Sequence, residues 1–383
     1  MPASPVAVAV TLIAPALDTT PDPASPVPPG SFDGDFDPAV DRLGELCGGR
    51  FERHPIEPRP WETRLMARLG LAGPGLEAAS GPGDVPAGRL LGATDLALSG
   101  GAVASSDTVL ADPVSLAPNR DEATLTPPEA LALGADETEA LFGAANELLA
   151  EDAEAFERGA SGRWYLRGLD ARALDTPPTH FLARREAGGW LPGTGDAAPW
   201  RRLMSELEML WHAHPVNAER ARRGLPPVNG VWFWGGASPP PVPSPLPRAV
   251  LLADDRLAVA LGEYAGTEVR ALDDSDTFDA ALSAARKRWS DATDEVAGGK
   301  SDGATVTLVI VDQRAHAAWL AGDGDALERA RRELAERWLV PAAAAVRDGR
   351  ALSLSLVSDD GRETLFVPPA RPSWLARLFG RRP

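Results

Sequence analysis

The stretch His212-Ala213-His214-Pro215-Val216-Asn217-Ala218-Glu219-Arg220-Ala221-Arg222-Arg223-Gly224-Leu225-Pro226-Pro227-Val228-Asn229-Gly230-Val231-Trp232-Phe233-Trp234-Gly235-Gly236 passes from helix to turn to strand within one short run. Just upstream, Leu203, Met204, Leu207, Leu210 and Trp211 fall on one side of a helix spanning Trp200 to Trp211, so that helix docks on a core. Pro215 ends it. Asn217 is placed to N-cap a short helix from Ala218 to Arg223, and Gly224 to take the left-handed position after it. Val231 to Trp234 then reads as a buried strand, with Trp232 and Trp234 on the same face as core residues rather than a stacking platform. His212 and His214 form an H-x-H pair that admits two readings: a metal pair, or imidazoles satisfying backbone groups at a helix corner.

Downstream the pattern alternates. Strands are expected at Val231 to Trp234, Val250 to Ala253, Val269 to Leu272, Val306 to Val311 and Leu352 to Val357. Helices are expected between them at Arg256 to Gly262, Phe278 to Trp289 and Ala326 to Ala345. Apolar strands separated by helices predict a mostly parallel sheet covered on both faces.

Upstream, Val6 to Ala14 is a further apolar strand, and Pro38 to Leu46 and Pro60 to Leu71 read as helices. The character changes after a Gly- and Pro-rich break at 73–88. Thr108 to Leu116 suggests a strand running into a turn at Pro118-Asn119-Arg120-Asp121, Asp136 to Ala155 a helix, and Trp164-Tyr165-Leu166 another strand. The expected organisation is a discontinuous α/β core of residues 1–89 and 196–370, an inserted smaller α+β lobe of 90–195, and a tail of 371–383.

Composition narrows the function classes. A net charge of -17 argues against a broad nucleic-acid surface, which needs clustered Lys and Arg. Lys287 and Lys300 are the two lysines, and the other 36 basic residues are arginines, a bias that matches GC-rich coding. The single cysteine, Cys47, excludes an internal disulfide framework and fits a reducing cytoplasm. The first basic residue is Arg42, so Val6 to Leu17 lacks the charged start of a signal peptide; it is also too short for a transmembrane segment.

His214-Pro-Val-Asn217, Arg220, Gly224, Asn229 and Trp234-Gly235-Gly236 together resemble the H-P-x-N, R, G-x-x-x-x-N and W-G-x-G segment of the archaeal-type, cofactor-independent phosphoglycerate mutases. They are similar also to bacterial mutase-like regulatory proteins of RpfE type. Asp112-Pro-Val, Trp164-Tyr165 and Asp312 to Asp325 echo the same family. The resemblance implies an alkaline-phosphatase-like α/β fold with a second lobe, a site holding two divalent metals, and a phosphorylated serine nucleophile.

The resemblance also says where such ligands stand. An Asp-x-x-x-His pair after a core strand falls on Asp312 and His316, for which a surface Asp and His is the plain alternative. An Asp-His-Gly triplet after the last central strand falls on Asp359-Asp360-Gly361, with an acid in place of the imidazole; a simple Asp-Asp-Gly turn is the alternative. Asp18 stands near the first ligand position. No serine matches the nucleophile, and Glu363 to Pro368 lacks the last histidine.

The expectation is therefore a catalytically degenerate, mutase-like cytoplasmic protein with a regulatory or binding role, without a cofactor. It would meet a protein partner or a phosphorylated small molecule. An active metal-dependent mutase or phosphatase, using Mn²⁺ or Mg²⁺, is the alternative. A second alternative is a scaffold acting through the basic tail, where Trp374, Leu375, Leu378 and Phe379 form one apolar face suited to a partner or weak contact with an anionic membrane surface.

Overall fold

The computed structural model describes residues 6–16, 38–53, 59–71, 85–100, 107–119, 122–150, 154–183, 187–193, 195–237, 248–295, 305–358 and 363–369. Asp18, Asp359, Asp360 and the tail at 371–383 lie outside the described residues.

The described strands are β1 (Ala7–Ile13), β2 (Arg50–Arg53), β3 (Val109–Asn119), β4 (Glu122–Thr126), β5 (Ala155–Arg158), β6 (Trp164–Arg167), β7 (Gly230–Trp234), β8 (Ala249–Ala253), β9 (Glu268–Ala271), β10 (Thr305–Val311), β11 (Ser353–Val357) and β12 (Glu363–Val367). They form two sheets. The larger has the order β2-β12-β11-β1-β10-β8-β9. Its five strands from β11 to β9 run parallel, and β12 pairs antiparallel with both β11 and β2. The fold is thus the expected mixed α/β one, with a mostly parallel central sheet and helices. β2 and β12 add an antiparallel edge that the sequence reading lacked.

Alternation along the central strands divides their side chains between two cores. Val8, Val10 and Leu12 of β1, with Leu308 and Ile310 of β10, enter one core alongside Phe278, Leu282, Leu334 and Trp338 from the helices Phe278–Glu295 and Gly324–Leu334 and the turn after the latter. Ile13, Leu251, Val309 and Val311 enter the other, with Trp61, Leu65, Leu91 and Leu257 from the helices Trp61–Arg68, Ala87–Leu98 and Arg256–Tyr264. Each such aliphatic side chain contributes about 1.5–3 kcal/mol of transfer free energy, and the two-sided burial explains why these strands are unbroken Val/Ile/Leu runs.

The second sheet has the order β4-β3-β6-β5, with β7 also paired to β3. This corrects the sequence reading. Val231–Trp234 was expected in the parallel sheet, but β7 runs antiparallel to β3, with Trp232 opposite Asp112. The hydrophobic run was right; an apolar strand carries no label for the sheet it joins. Val231 and Phe233 pack with Trp200, Leu207 and Trp211 of the helix Ala198–His212, whereas Trp232 and Trp234 join the core beneath the central sheet. The second sheet is therefore fused to the first through a shared apolar layer. Among the described residues no helix is long and apolar enough to cross a membrane.

The helix expected at Ala326 to Ala345 is present but not uniform. It begins at Gly324, takes a π-helical turn over Ala335–Leu339, and resumes over Val340–Arg347. Pro341 supplies the reason: it has no N–H to give to the preceding turn, and a wider turn absorbs the broken ladder.

Candidate functional site

The family-like segment is a joint that locks the second sheet together. The short helix starts at Pro215, not Ala218, and its N-cap is His214, whose Nδ1 accepts the Val216 N–H at 3.3 Å. That corrects the reading of Asn217, which lies inside the helix, while His214 satisfies a backbone group at the helix corner as in the second of its two readings, by accepting an N–H of the helix start. Pro215 fits the first helical position because its missing N–H is one the helix would not use. Asn217 instead gives its amide to Trp211 O and Val228 O and accepts from Val228 N, each at 2.8 Å. Gly224 has φ +69°, the left-handed turn expected of it.

Arg220 is fully buried and donates to Pro226 O at 2.8 Å, Leu131 O at 2.6 Å and Glu137 at 2.8 Å. Asn229 extends β3 like a strand residue: its side chain accepts from Leu116 N at 2.7 Å and donates to Leu116 O at 2.8 Å. Trp234 donates to Asp112 at 2.7 Å, and Asp112 also accepts the Thr179 hydroxyl at 2.8 Å. Gly235, with φ +80°, and Gly236 are glycines because a Cβ would stand 2.8 Å from Gly88 N and 2.3 Å from Ala171 O.

The rim of the parallel sheet is where open α/β sheets bind ligands. Asp312 follows β10 there, its N–H held by Ile13 O of β1 at 3.0 Å. Its carboxylate is wholly buried and already surrounded by donors. Oδ1 accepts from Arg314 N at 3.2 Å and Arg314 Nε at 3.0 Å; Oδ2 accepts from Arg314 Nη2 at 2.6 Å and Trp338 Nε1 at 3.1 Å. A carboxylate has about four lone-pair positions, so this one is saturated.

His316 turns elsewhere. Its Nδ1 lies 3.0 Å from Gln313 Oε1, its ring stacks on Trp319, and its edge meets His180 at a centroid distance of 5.4 Å. Among the described residues no group of three or more His, Cys, Asp and Glu side chains is arranged to hold one ion. As they stand, Asp312 and His316 do not fit the implied metal: the acid has no free lone pair to give. Asp323, in the Asp312 to Asp325 echo, N-caps the helix Gly324–Leu334.

Sequence reasoning missed the histidine at the centre of this region. His180 lies on the short helix Thr179–Leu182, with its Nε2 2.9 Å from Glu62 Oε1 and its ring bordered by Trp61, Trp234 and His316. Burial works against its charged form, but Glu62, then Glu129 and Asp255, hold its pKa above the ordinary value. One signal existed: Glu62 is an acid on the buried face that Trp61, Leu65 and Met66 define.

At the end of β8, Asp254 accepts the Gln313 N–H at 3.1 Å, and Asp255 N-caps the helix Arg256–Tyr264. Burial first, then the Asp312 charge, pushes Asp254 up to about 6. Burial also raises Asp255, with Glu62 adding to it, and raises Glu129, with Asp112 adding to it. Glu129 is nevertheless reached by solvent. Arg163, whose charge is favoured by Asp112, Asp255 and Glu129 against its burial, stands among them. Glu62, Glu129, Asp254, Asp255, Arg163 and His180 thus form an electrostatically coupled cluster of mixed charge, acidic in sum, near the end of β8.

No protein-family model matches the chain. Over 102 residues it is 35% identical to a 2,3-bisphosphoglycerate-independent phosphoglycerate mutase of Methanothrix thermoacetophila; the match spans 25% of this chain and 26% of that protein. Among solved structures, the PH0037 protein of Pyrococcus horikoshii is similar with a TM-score of 0.40 and 15% identity, covering 95% of this chain and 87% of that one. A cofactor-independent phosphoglycerate mutase from Thermoplasma acidophilum gives a TM-score of 0.33 and 16% identity, covering 95% and 90%.

Proposed function

We propose that this chain is a phosphoglycerate-mutase-like protein that has lost the phosphoryl-transfer chemistry and acts by binding, in a regulatory role of the kind its family-like segment suggests. The observation that carries the reading is the saturation of Asp312: the acid where the resemblance places a metal ligand already spends its lone pairs on Arg314 and Trp338. A mutase of this kind needs its divalent cations to neutralise the phosphate and to lower the pKa of its nucleophile. The structural role of the family-like segment agrees, because a segment that builds the second sheet is retained when chemistry goes.

The mixed-charge cluster near the end of β8 is the proposed binding place, and a phosphorylated small molecule or a partner protein the proposed occupant. Mn²⁺ titration by calorimetry followed by an assay with 3-phosphoglycerate tests the reading. No turnover in the presence of Mn²⁺ or Mg²⁺ is the expected result. Micromolar metal affinity together with turnover that His316→Ala abolishes would establish the active enzyme instead.

A further inference from the structure

We propose that Arg314 is the resident cation of the Asp312 site, a guanidinium held within the chain where a divalent ion would otherwise balance the carboxylate. The proposal deepens the binding-protein reading and rests on it. Four observations meet at one carboxylate. The Arg314 fork engages both oxygens side-on, through Nε at 3.0 Å and Nη2 at 2.6 Å, the arrangement in which arginine pairs most strongly with an acid. The Arg314 backbone N–H adds a third donor from the same residue, so the two-residue spacing from Asp312 itself favours the pair.

The third observation is the π turn. It falls on Ala335–Leu339, and Trp338 within it brings its Nε1 to the remaining position on Oδ2. Arg337, in the same turn, lies 4.7 Å above the Trp338 ring and donates from Nε to Asp276 O at 2.7 Å, fixing the indole from behind. The fourth is charge. Arg314 also has Glu333 at 3.4 Å and Asp274 at 3.8 Å, so its positive charge is balanced by three acids, and its bond to Asp312 raises its pKa despite partial burial. A divalent ion would have to displace a bidentate partner from a buried carboxylate and leave a half-buried guanidinium without it, which works against metal binding there.

The test uses the full-length chain and three variants, Asp312→Asn, Arg314→Gln and the double variant, with Arg314→Lys as a milder change should Arg314→Gln fail to fold. Thermal unfolding is followed with and without millimolar MnCl₂, and free Mn²⁺ is counted by electron paramagnetic resonance. The expected result is that Mn²⁺ shifts the wild-type and Asp312→Asn melts alike. Arg314→Gln should lower Tm by a few degrees in the wild type and by much less beside Asp312→Asn, because the two residues act as one unit. Arg314→Lys keeps the charge but not the fork, and should fall between.

Mn²⁺ bound by the wild type and lost in Asp312→Asn overturns the proposal, as do strictly additive effects of the two substitutions. The readouts separate it from the functional reading. Turnover of 3-phosphoglycerate that survives Asp312→Asn sinks the binding-protein reading and leaves Arg314 in place. Metal binding that needs Asp312, without turnover, does the reverse.

Discussion

The Glu62 carboxylate lies 2.9 Å from His180 Nε2, and through this pair the helix Trp61–Arg68 beneath the central sheet grips the segment that leads the chain back to β7. Glu62 is wholly buried and His180 largely so. An isolated carboxylate so placed is costly, and a neutral imidazole does little to relieve it. The apolar layer docks the two sheets, and this ion pair beside it adds a contribution that depends on one proton.

That dependence gives a pH prediction with a definite sign. The folded-state pKa of His180 is raised, so its contribution to stability is fully present below the unfolded value of about 6.5 and is lost as pH rises through the folded value. Thermal melts of the wild type should fall steadily above about pH 6.5, and His180→Gln should be less stable at low pH and flatter across that window. The charges facing His180 are Glu62, Glu129 and Asp255, all acidic, and the His316 ring is its neighbour. Following each histidine by NMR through the titration assigns the transition. A histidine 180 signal that titrates below 6.5 contradicts the prediction.

Asp254, in the same charge cluster, makes a contrasting case. Its folded-state pKa of about 6 lies above its ordinary value, so the folded state favours the neutral acid. Its contribution is present below the unfolded value of about 3.9 and is lost as pH rises towards 6. At neutral pH the charge is a burden, and Asp254→Asn should stabilise the chain there. Because the carboxylate is exposed, solvent screens much of the effect, and the gain should not exceed about 1 kcal/mol. Denaturant melts at pH 4.5 and pH 7.5 check it: the gain belongs to the higher pH, and an equal change at both would remove the electrostatic explanation.

Much of the fold could be read from the chain because its signals are local. β1, β8, β10 and β11 are apolar runs that only a two-sided core explains, and each appears within a residue or two of its expected place. What could not be read was partnership. Val231–Trp234 is equally apolar on either sheet, and only the antiparallel register with β3 settles it. Asn217 looked like a cap because Asn is a good one; its actual partners, Trp211 and Val228, are set by a loop that brings both backbones to its side chain. The site was obscured for a related reason. Asp312 and His316 have ligand spacing, yet Arg314 between them is the residue that takes the carboxylate, and Trp338 arrives from a π turn whose one sequence sign is Pro341.

Arg220 provides a stability prediction free of function. Its guanidinium is wholly enclosed, ties the loop at Pro226 and the turn at Leu131 to its own helix, and is balanced by Glu137 alone within ion-pair distance among the described residues. Arg220→Ala strands Glu137 with only the exposed Arg223 and leaves two carbonyls without donors. Each buried carbonyl left without its donor costs about 1–3 kcal/mol, while Glu137, partly exposed, is relieved by solvent. Chemical denaturation of the purified variant should show that loss, and Arg220→Lys should recover only part of it, since one ammonium cannot span three acceptors in a fixed fork. A cost below about 1 kcal/mol for Arg220→Ala would mean that the loop relaxes to let water in.

Gly236 allows a sharper test of the joint between the sheets. Its backbone passes so close to Ala171 that an added Cβ would stand 2.3 Å from Ala171 O and 3.3 Å from Ala171 Cβ. The obstruction is backbone, not the end of a flexible side chain, so it cannot rotate away. Ala171 opens a short 3-10 turn capped by Asp170, and Trp200 donates to Asp170 O at 3.1 Å, so pushing Ala171 outward disturbs the packing beneath the helix Ala198–His212. Gly236→Ala should cost about 1–3 kcal/mol, the usual range for forced overpacking. Gly224→Ala is the contrasting case: unlike Gly236 it must adopt a left-handed φ, at +69°, but it meets nothing within 4 Å, so it should lose only about 1 kcal/mol of conformational energy. Paired denaturation curves decide the matter, and a Gly224→Ala loss equal to or larger than that of Gly236→Ala would show that the close approach at Ala171 is not what fixes this corner of the chain.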